Sequence, residues 1–254
     1  YHPDNVIKAY DLHINTYDLF LNQSVVDSFG GGDIDLTATN NITVSGTITS
    51  TSPQNYNLTA GNEFGFEVGA SIDTNNGNFT ATAKTFDFEN WSINAGTGTI
   101  YLTQTEGDLN IDYGIGTAAN MFFKALDGDI LVGHTIDASD LISLEGNTVG
   151  LGAKLSANGV IITCNTDDIT LDDTFIGNID ANEVSITTKS GDIILNLAGP
   201  YAETADYIFT ANNFEVASGS LATTGDVMLR DIDGHVALTD AIVDAFGVAD
   251  LSIL

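Results

Sequence analysis

Positive charge is what this chain most lacks: 6 Lys and Arg stand against 35 Asp and Glu, a formal net charge of −29 over 254 residues. Phosphate backbones and anionic headgroups are held by clustered cations, so nucleic acid and anionic membrane surfaces are not expected as partners. An apolar run of the roughly 18 residues needed for a membrane helix is also missing, as is a cleavable amino-terminal signal, so membrane insertion is not expected. Because Tyr1-His-Pro-Asp is no translation start, we expect a processed or excised part of a longer precursor. The single cysteine, Cys164, excludes an internal disulfide framework. It continues the alternation Val160, Ile162, so it should point inward as a small apolar residue, and no neighbouring base marks it as a nucleophile. Four histidines, His2, His13, His134 and His235, lack any HExxH-like spacing and give no zinc signature. Only 3 prolines interrupt the chain, and long helical patterns are absent.

What is present is 26 Gly together with abundant Thr, Asn, Asp and Ile, the usage of short strands joined by tight turns. The stretch Leu155 to Leu195 states one pattern twice. Leu155-Ser-Ala-Asn-Gly-Val160-Ile-Ile162 leads to Asp168-Ile169-Thr-Leu171, and Ile179-Asp-Ala-Asn-Glu-Val184-Ser-Ile186 leads to Gly191-Asp-Ile193-Ile-Leu195. A unit this short, made only of strands, cannot bury its own apolar face and must stack on copies of itself.

Two markers extend the pattern along the chain. The first, an apolar residue, a spacer and a small residue, starts at Ile48, Ile72, Ile93, Ile115, Ile136, Leu155 and Ile179, in steps of 24, 21, 22, 21, 19 and 24. The second, Gly-Asp-apolar-x-apolar, starts at Gly107, Gly128, Gly191 and Gly225, with a variant at Asp167. Gly at these corners is expected to supply a positive φ and Asp a local turn bond, after which two inward residues flank an outward one. The resulting fold is an all-β, single right-handed parallel β-helix, a β-solenoid of about 11 to 12 coils. Ile93, Ile111, Ile130, Ile169, Val184, Ile186, Ile193 and Val227 should face its core.

Residues 1–31 are expected to hold the first strands or an end-contact segment, through Tyr10, Leu12, Ile14 and Tyr17, Leu19, Leu21. Coils should occupy 32–238, and 239–254 an irregular last coil or end-contact segment, with a short helix capped by Thr239 as one option. Phe29-Gly-Gly-Gly-Asp33 reads as a turn, not a phosphate loop, because a strand follows it. From Ile179-Asp-Ala to Phe209-Thr-Ala the step is 30, which suggests an insertion near 198–206. Insertions in solenoids carry contacts, so Pro200, Tyr201, Glu203 and Asp206 are contact-loop candidates.

The Gly-Asp-apolar-x-Leu/Val/Ile strands and Ile-Asn/Asp-Ala openings, over roughly residues 32 to 238, resemble the filamentous-haemagglutinin type of bacterial surface protein. The resemblance implies a secreted, non-catalytic adhesin-like or matrix protein at the bacterial cell surface. Its partners would be identical subunits met head to tail or further coils of the precursor, and a host surface, neighbouring cell or polysaccharide. No catalytic or cofactor-binding residues are implied.

The competing reading is a β-helix polysaccharide lyase or hydrolase, or a carbohydrate-binding module. Asn165-Thr-Asp167, Asp172-Asp173 and Gly234-His-Val236 resemble the order of polygalacturonase residues, but Asp167 and Asp172 are too close in sequence to come from successive coils. Lys8, Lys84, Lys124, Lys154, Lys189 and Arg230 are scattered singly, unlike a lyase site. Acidic turns offer weak calcium candidates at Asp167, Asp168, Asp172 and Asp173, since hard cations take oxygen ligands. Sequons at Asn22, Asn41, Asn57, Asn78 and Asn90 are chance matches in a chain rich in Asn and Thr. The rings of Phe64, Phe66, Phe86, Phe88, Trp91, Phe122 and Phe123 are expected to stack in the core one coil apart, with a carbohydrate-stacking strip as the alternative.

Overall fold

Short segments that alternate apolar and polar residues build nearly the whole molecule, which is 57% strand and 6% helix and winds as a parallel β-solenoid of about 10 turns. The structure is a computed structural model and describes residues 13–89, 91–231, 240–246 and 251–253. Tyr10, Leu12, Asn90, Gly234, His235 and the run Val236-Ala-Leu238 lie outside the described residues, as does Thr239. Backbone contacts divide the chain into two units, residues 1–126 and 127–254.

In the first unit each full coil carries three strands, one in each of three parallel sheets. The broad sheet contains Ile34–Ala38, Tyr56–Ala60, Phe79–Ala83 and Thr99–Gln104. Its inward column Leu36, Leu58, Ala81, Leu102, Phe123 advances by 22, 23, 21 and 21 residues, so core positions recur at the period of the sequence repeat. All five are buried. Burying that apolar surface is the main driving force for stacking, since each strand alone would leave it in water. On the second sheet Phe64 stands in register with Phe86, and Trp91 packs edge-on to Phe64 with centroids 5.2 Å apart. Trp91 Nε1 donates to the Asp87 carbonyl, which satisfies its polar edge inside the cluster. Phe64, Phe66, Phe88, Trp91 and Phe123 are buried as expected, and Phe64 meets Phe86 one coil on, but Phe86 is only half-buried and Phe122 turns outward against Tyr101.

The third sheet carries the first sequence marker, with Ile48 on Ile72 and Ile72 on Ile93. There the register slips: Ile93 pairs with Gly116 and not with Ile115. Gly116 has φ +136, and a side chain there would overlap the Ile93 carbonyl, so the slip needs glycine.

The second unit repeats the plan. Its broad sheet runs through Gly159–Cys164, Glu183–Thr188, Asp206–Ala211 and Val227–Asp231, with Leu144, Ile162, Ile186, Phe209 and Leu229 stacked inward. Ile136, Leu155 and Ile179 stack as the first marker predicts. Every one of the eight core residues named from sequence is buried.

Four expectations are corrected. The coils number about 10, not 11 to 12. Phe209 stacks on Ile186, 23 residues earlier, and not on the Ile179 column, so the apparent step of 30 joined two different sheets. The same change of phase puts Gly225-Asp-Val-Met-Leu229 on the broad sheet, whereas Gly191-Asp-Ile-Ile-Leu195 enters the second. Residues 198–203 are therefore no inserted loop: they form the second half of the strand Ile193–Glu203, and Pro200 through Glu203 pair with Ser220 through Thr223 after an irregularity near Asn196. Finally, the corner glycines Gly191 and Gly225 do not have positive φ, unlike Gly107 at +70. A Cβ at either would strike the carbonyl of the preceding coil, at Asp167 and Ala205, so close approach of coils is what demands them.

Among the described residues three short helices interrupt the coils. In α1, Gln23–Ser28, the Asn22 side chain accepts the Val25 N–H at 3.1 Å. In α2, Asp173–Gly177, Asp172 accepts the Phe175 N–H at 2.8 Å. Both are N-caps that satisfy otherwise orphaned backbone donors. The third, α3 at Asp240–Ala245, is the helical option foreseen for the last segment; the adjoining Phe246 packs on Phe209 and Phe214.

Candidate functional site

Acidic and amide side chains at successive corners hold the next coil in place. Asp33 Oδ1 accepts the Asn55 N–H, Asn55 Oδ1 that of Asn78, and Asn78 Oδ1 that of Thr99, at 3.2, 2.9 and 2.9 Å. A solenoid corner leaves backbone donors outside the sheets, and this ladder of side chains satisfies them. The abundance of Asn and Asp is explained by that duty.

Of the calcium candidates, Asp168 and Asp173 take a donor of the next coil, whereas Asp172 and Asp167 bond locally. Asp168 Oδ1 accepts the Asp192 N–H at 2.8 Å, Asp172 caps α2, Asp173 Oδ2 accepts the Ala198 N–H at 3.0 Å, and Asp167 Oδ2 accepts the Thr166 hydroxyl at 3.1 Å. Among the described residues no group of three or more His, Cys, Asp or Glu is placed to hold a metal ion. Of the cations, Lys84, Lys154 and Lys189 lie on Glu106, Asp180 and Glu145, at 2.7, 2.6 and 2.8 Å. These are exposed pairs between coils, each worth at most about 1 kcal/mol. Cys164 is buried, and burial pushes its thiol up to about 11, away from nucleophilic use.

Three outward features remain. Tyr101 and Phe122 stack on the broad sheet of the first unit, with centroids 4.5 Å apart and planes at 10°. Each ring covers one face of the other, so the pair stabilises adjacent strands. One outward position of the broad sheet is threonine in most coils: Thr37, Thr59, Thr82 and Thr103 in the first unit, Thr163, Thr187 and Thr210 in the second. β-branched residues suit a half-exposed strand position.

The second unit also has a groove of about 460 Å³ on the outside of its broad sheet. Side chains of neighbouring strands frame it. One column runs Leu141, Gly159, Glu183, Asp206, with Asp226 held over Asp206 by its N–H at 2.8 Å to Oδ1; the adjacent column runs Ile161, Ser185, Ile208, Met228. Gly159 and Ser185 are the small residues that make the depression. The larger neighbours give it an aliphatic strip beside a row of carboxylates. Ile161 is exposed, and Glu183, Asp206 and Asp226 are exposed too.

Of the contact candidates, Asp206 lines this groove. Pro200, Tyr201 and Glu203 stand on the neighbouring strand Ile193–Glu203. Burial raises the Glu203 carboxyl above its ordinary range, partly offset by a bond from the Thr204 backbone. Glu183, Asp226, Ile161, Ile208 and Met228 were missed by sequence reasoning. Reading one outward position down successive repeats would have aligned Gly159 with Glu183, but Asp206 and Met228 required the corrected phase. Searches of protein-family models, curated proteins and solved structures match nothing to this chain, so what it is shown to be is a parallel β-solenoid and no more specific family.

Proposed function

We propose that the chain is a non-catalytic scaffold of the bacterial cell exterior, an adhesin-like solenoid that binds through its outer faces and joins further coils end to end. The observation that carries this reading is the use made of its polar residues: carboxylates and amides at successive corners each take a backbone donor of the next coil. Repetition of Asp and Asn therefore serves length of stack, which is what a display scaffold needs, and Lys84, Lys154 and Lys189 are paired between coils in the same service. End-to-end joining would continue the parallel pairing that stacks coil on coil within the chain, as Glu183–Thr188 pairs with both Gly159–Cys164 and Asp206–Ala211. The −29 charge opposes side-to-side association and keeps such a surface soluble.

The test is incubation of the purified chain with pectate, alginate and related polymers, with assays for new reducing ends and unsaturated products. We expect none. Turnover that survives repurification would establish the lyase or hydrolase reading instead. Electron microscopy of the same preparation should show linear assemblies; uniformly short, monodisperse particles would remove end-to-end joining from the proposal.

A further inference from the structure

The groove of the second unit combines an aliphatic floor, a carboxylate wall and a closed backbone. We propose that it binds a linear polyamine, laid across the strands with its ammonium groups on Glu183, Asp206 and Asp226 and its methylenes on Ile161 and Ile208.

The spacing comes from the fold. Glu183 and Asp206 are register partners and Asp226 is tied to Asp206, so the carboxylates recur once per coil, about 4.8 Å apart by strand spacing. Neither Glu183 nor Asp226 makes a side-chain hydrogen bond or ion pair within the described protein, which leaves their oxygens open to a ligand. Arg230 marks the Met228 end, where its Nε lies 3.2 Å from the sulfur, so the three carboxylates outnumber the neighbouring cation and the floor keeps a net negative field. Alternating methylene and ammonium groups match an aliphatic strip next to that row, in the way a lysine stem lies on apolar surface while its head reaches a charge.

The same surface argues against two other occupants. The one aromatic residue of its lining, Tyr207, is buried with its ring stacked on Phe209 in the core, so it offers no face to a sugar ring. The strands beneath it are paired on both sides, as Glu183–Thr188 is with Gly159–Cys164 and Asp206–Ala211, so a peptide finds no sheet edge for its backbone. A polyamine has no backbone amides to desolvate, and a groove of about 460 Å³ is of small-molecule size.

The inference rests on reading the outer faces as binding surfaces, but its test is separate from the turnover assay, so either can fail alone. Spermine is titrated into the full chain calorimetrically. One saturable site per chain is expected, weakened about tenfold in a Glu183→Gln, Asp226→Asn double variant, which removes two of the three carboxylates. Ser185→Leu should weaken it as well while every carboxylate is kept, because the side chain fills the depression. If that variant unfolds by circular dichroism, Gly159→Val takes its place; a Cβ there would sit 3.4 Å from Leu141 Cδ1, an ordinary contact. Glu89→Gln with Asp112→Asn, exposed carboxylates of the other unit, should leave affinity unchanged. Many weak sites, equal loss in the control pair, or full affinity in the filled variant would show counter-ion condensation on an acidic surface and overturn the proposal. So would binding of oligolysine or glucosamine oligomers with no response to spermine.

Discussion

At the residue scale, burial decides the chemistry of the few unusual groups. Cys164 lies 1% exposed among aliphatic neighbours, and loss of water raises its thiol to about 11. At pH 8 it should resist a disulfide reagent in the folded protein and react promptly in denaturant; labelling at equal rates in both states would contradict the burial. Glu203 illustrates the opposite consequence of the same physics. Its folded carboxyl titrates above the ordinary value chiefly because burial disfavours the charge, with Asp180 adding repulsion. A proton is therefore held more tightly folded than unfolded. The stability this confers is complete below the unfolded carboxylate range and disappears as pH rises through the raised folded value. Glu203→Gln should accordingly melt higher than the parent at neutral pH, and the gap should close on acidification. A gap independent of pH would mean that something other than the charge is responsible.

At the element scale, the coil repeats because three things recur together: inward apolar residues, a side chain that takes the next coil's N–H, and a glycine where two coils touch. The last is the most sharply testable. In Gly191→Ala the new methyl meets the Asp167 carbonyl, a backbone atom that cannot swing aside, so destabilisation of about 1 to 3 kcal/mol is expected. Gly199→Ala has nothing within 4 Å of the added carbon and should change stability by no more than about 0.5 kcal/mol. Denaturant melts of the two variants make the comparison; equal effects would show that coil contact is not what selects glycine at 191. The helices α1 and α2 obey a different rule. Each is a turn that closes on an Asx cap, so the Asp172-Asp173 pair that reads as a cation site in sequence is a helix start in space.

At the scale of the whole molecule, the dominant quantity is the charge. A net −29 on 254 residues repels itself in the folded state, and the repulsion is screened over about 30 Å at 0.01 M salt but only about 8 Å at 0.15 M. Melting temperature should therefore rise by a few degrees across that range of sodium chloride. Calcium at equal ionic strength should add nothing more if the turn carboxylates act only as caps, and a further saturable increase would identify a cation site. The chain carries no described helix long and apolar enough to cross a membrane.

The sequence by itself determined the inside of the molecule. Ile93, Ile111, Ile130, Val184, Ile186 and Ile193 were readable as core because a solenoid places residues one repeat apart in contact, so each inward site sees the same apolar surroundings and is written with similar letters. Ile136, Leu155 and Ile179 were even in their correct column. Tertiary structure alone decided the phase after Ile179, where Phe209 stacks on Ile186, and the slip at Gly116, because several columns accept the same residue types and the letters do not say which sheet a strand joins. It alone decided the outside as well. Glu183, Asp206 and Asp226 meet across strands while their neighbours in sequence point into the core, and no packing constraint on an exposed position leaves a pattern from which that meeting could be read.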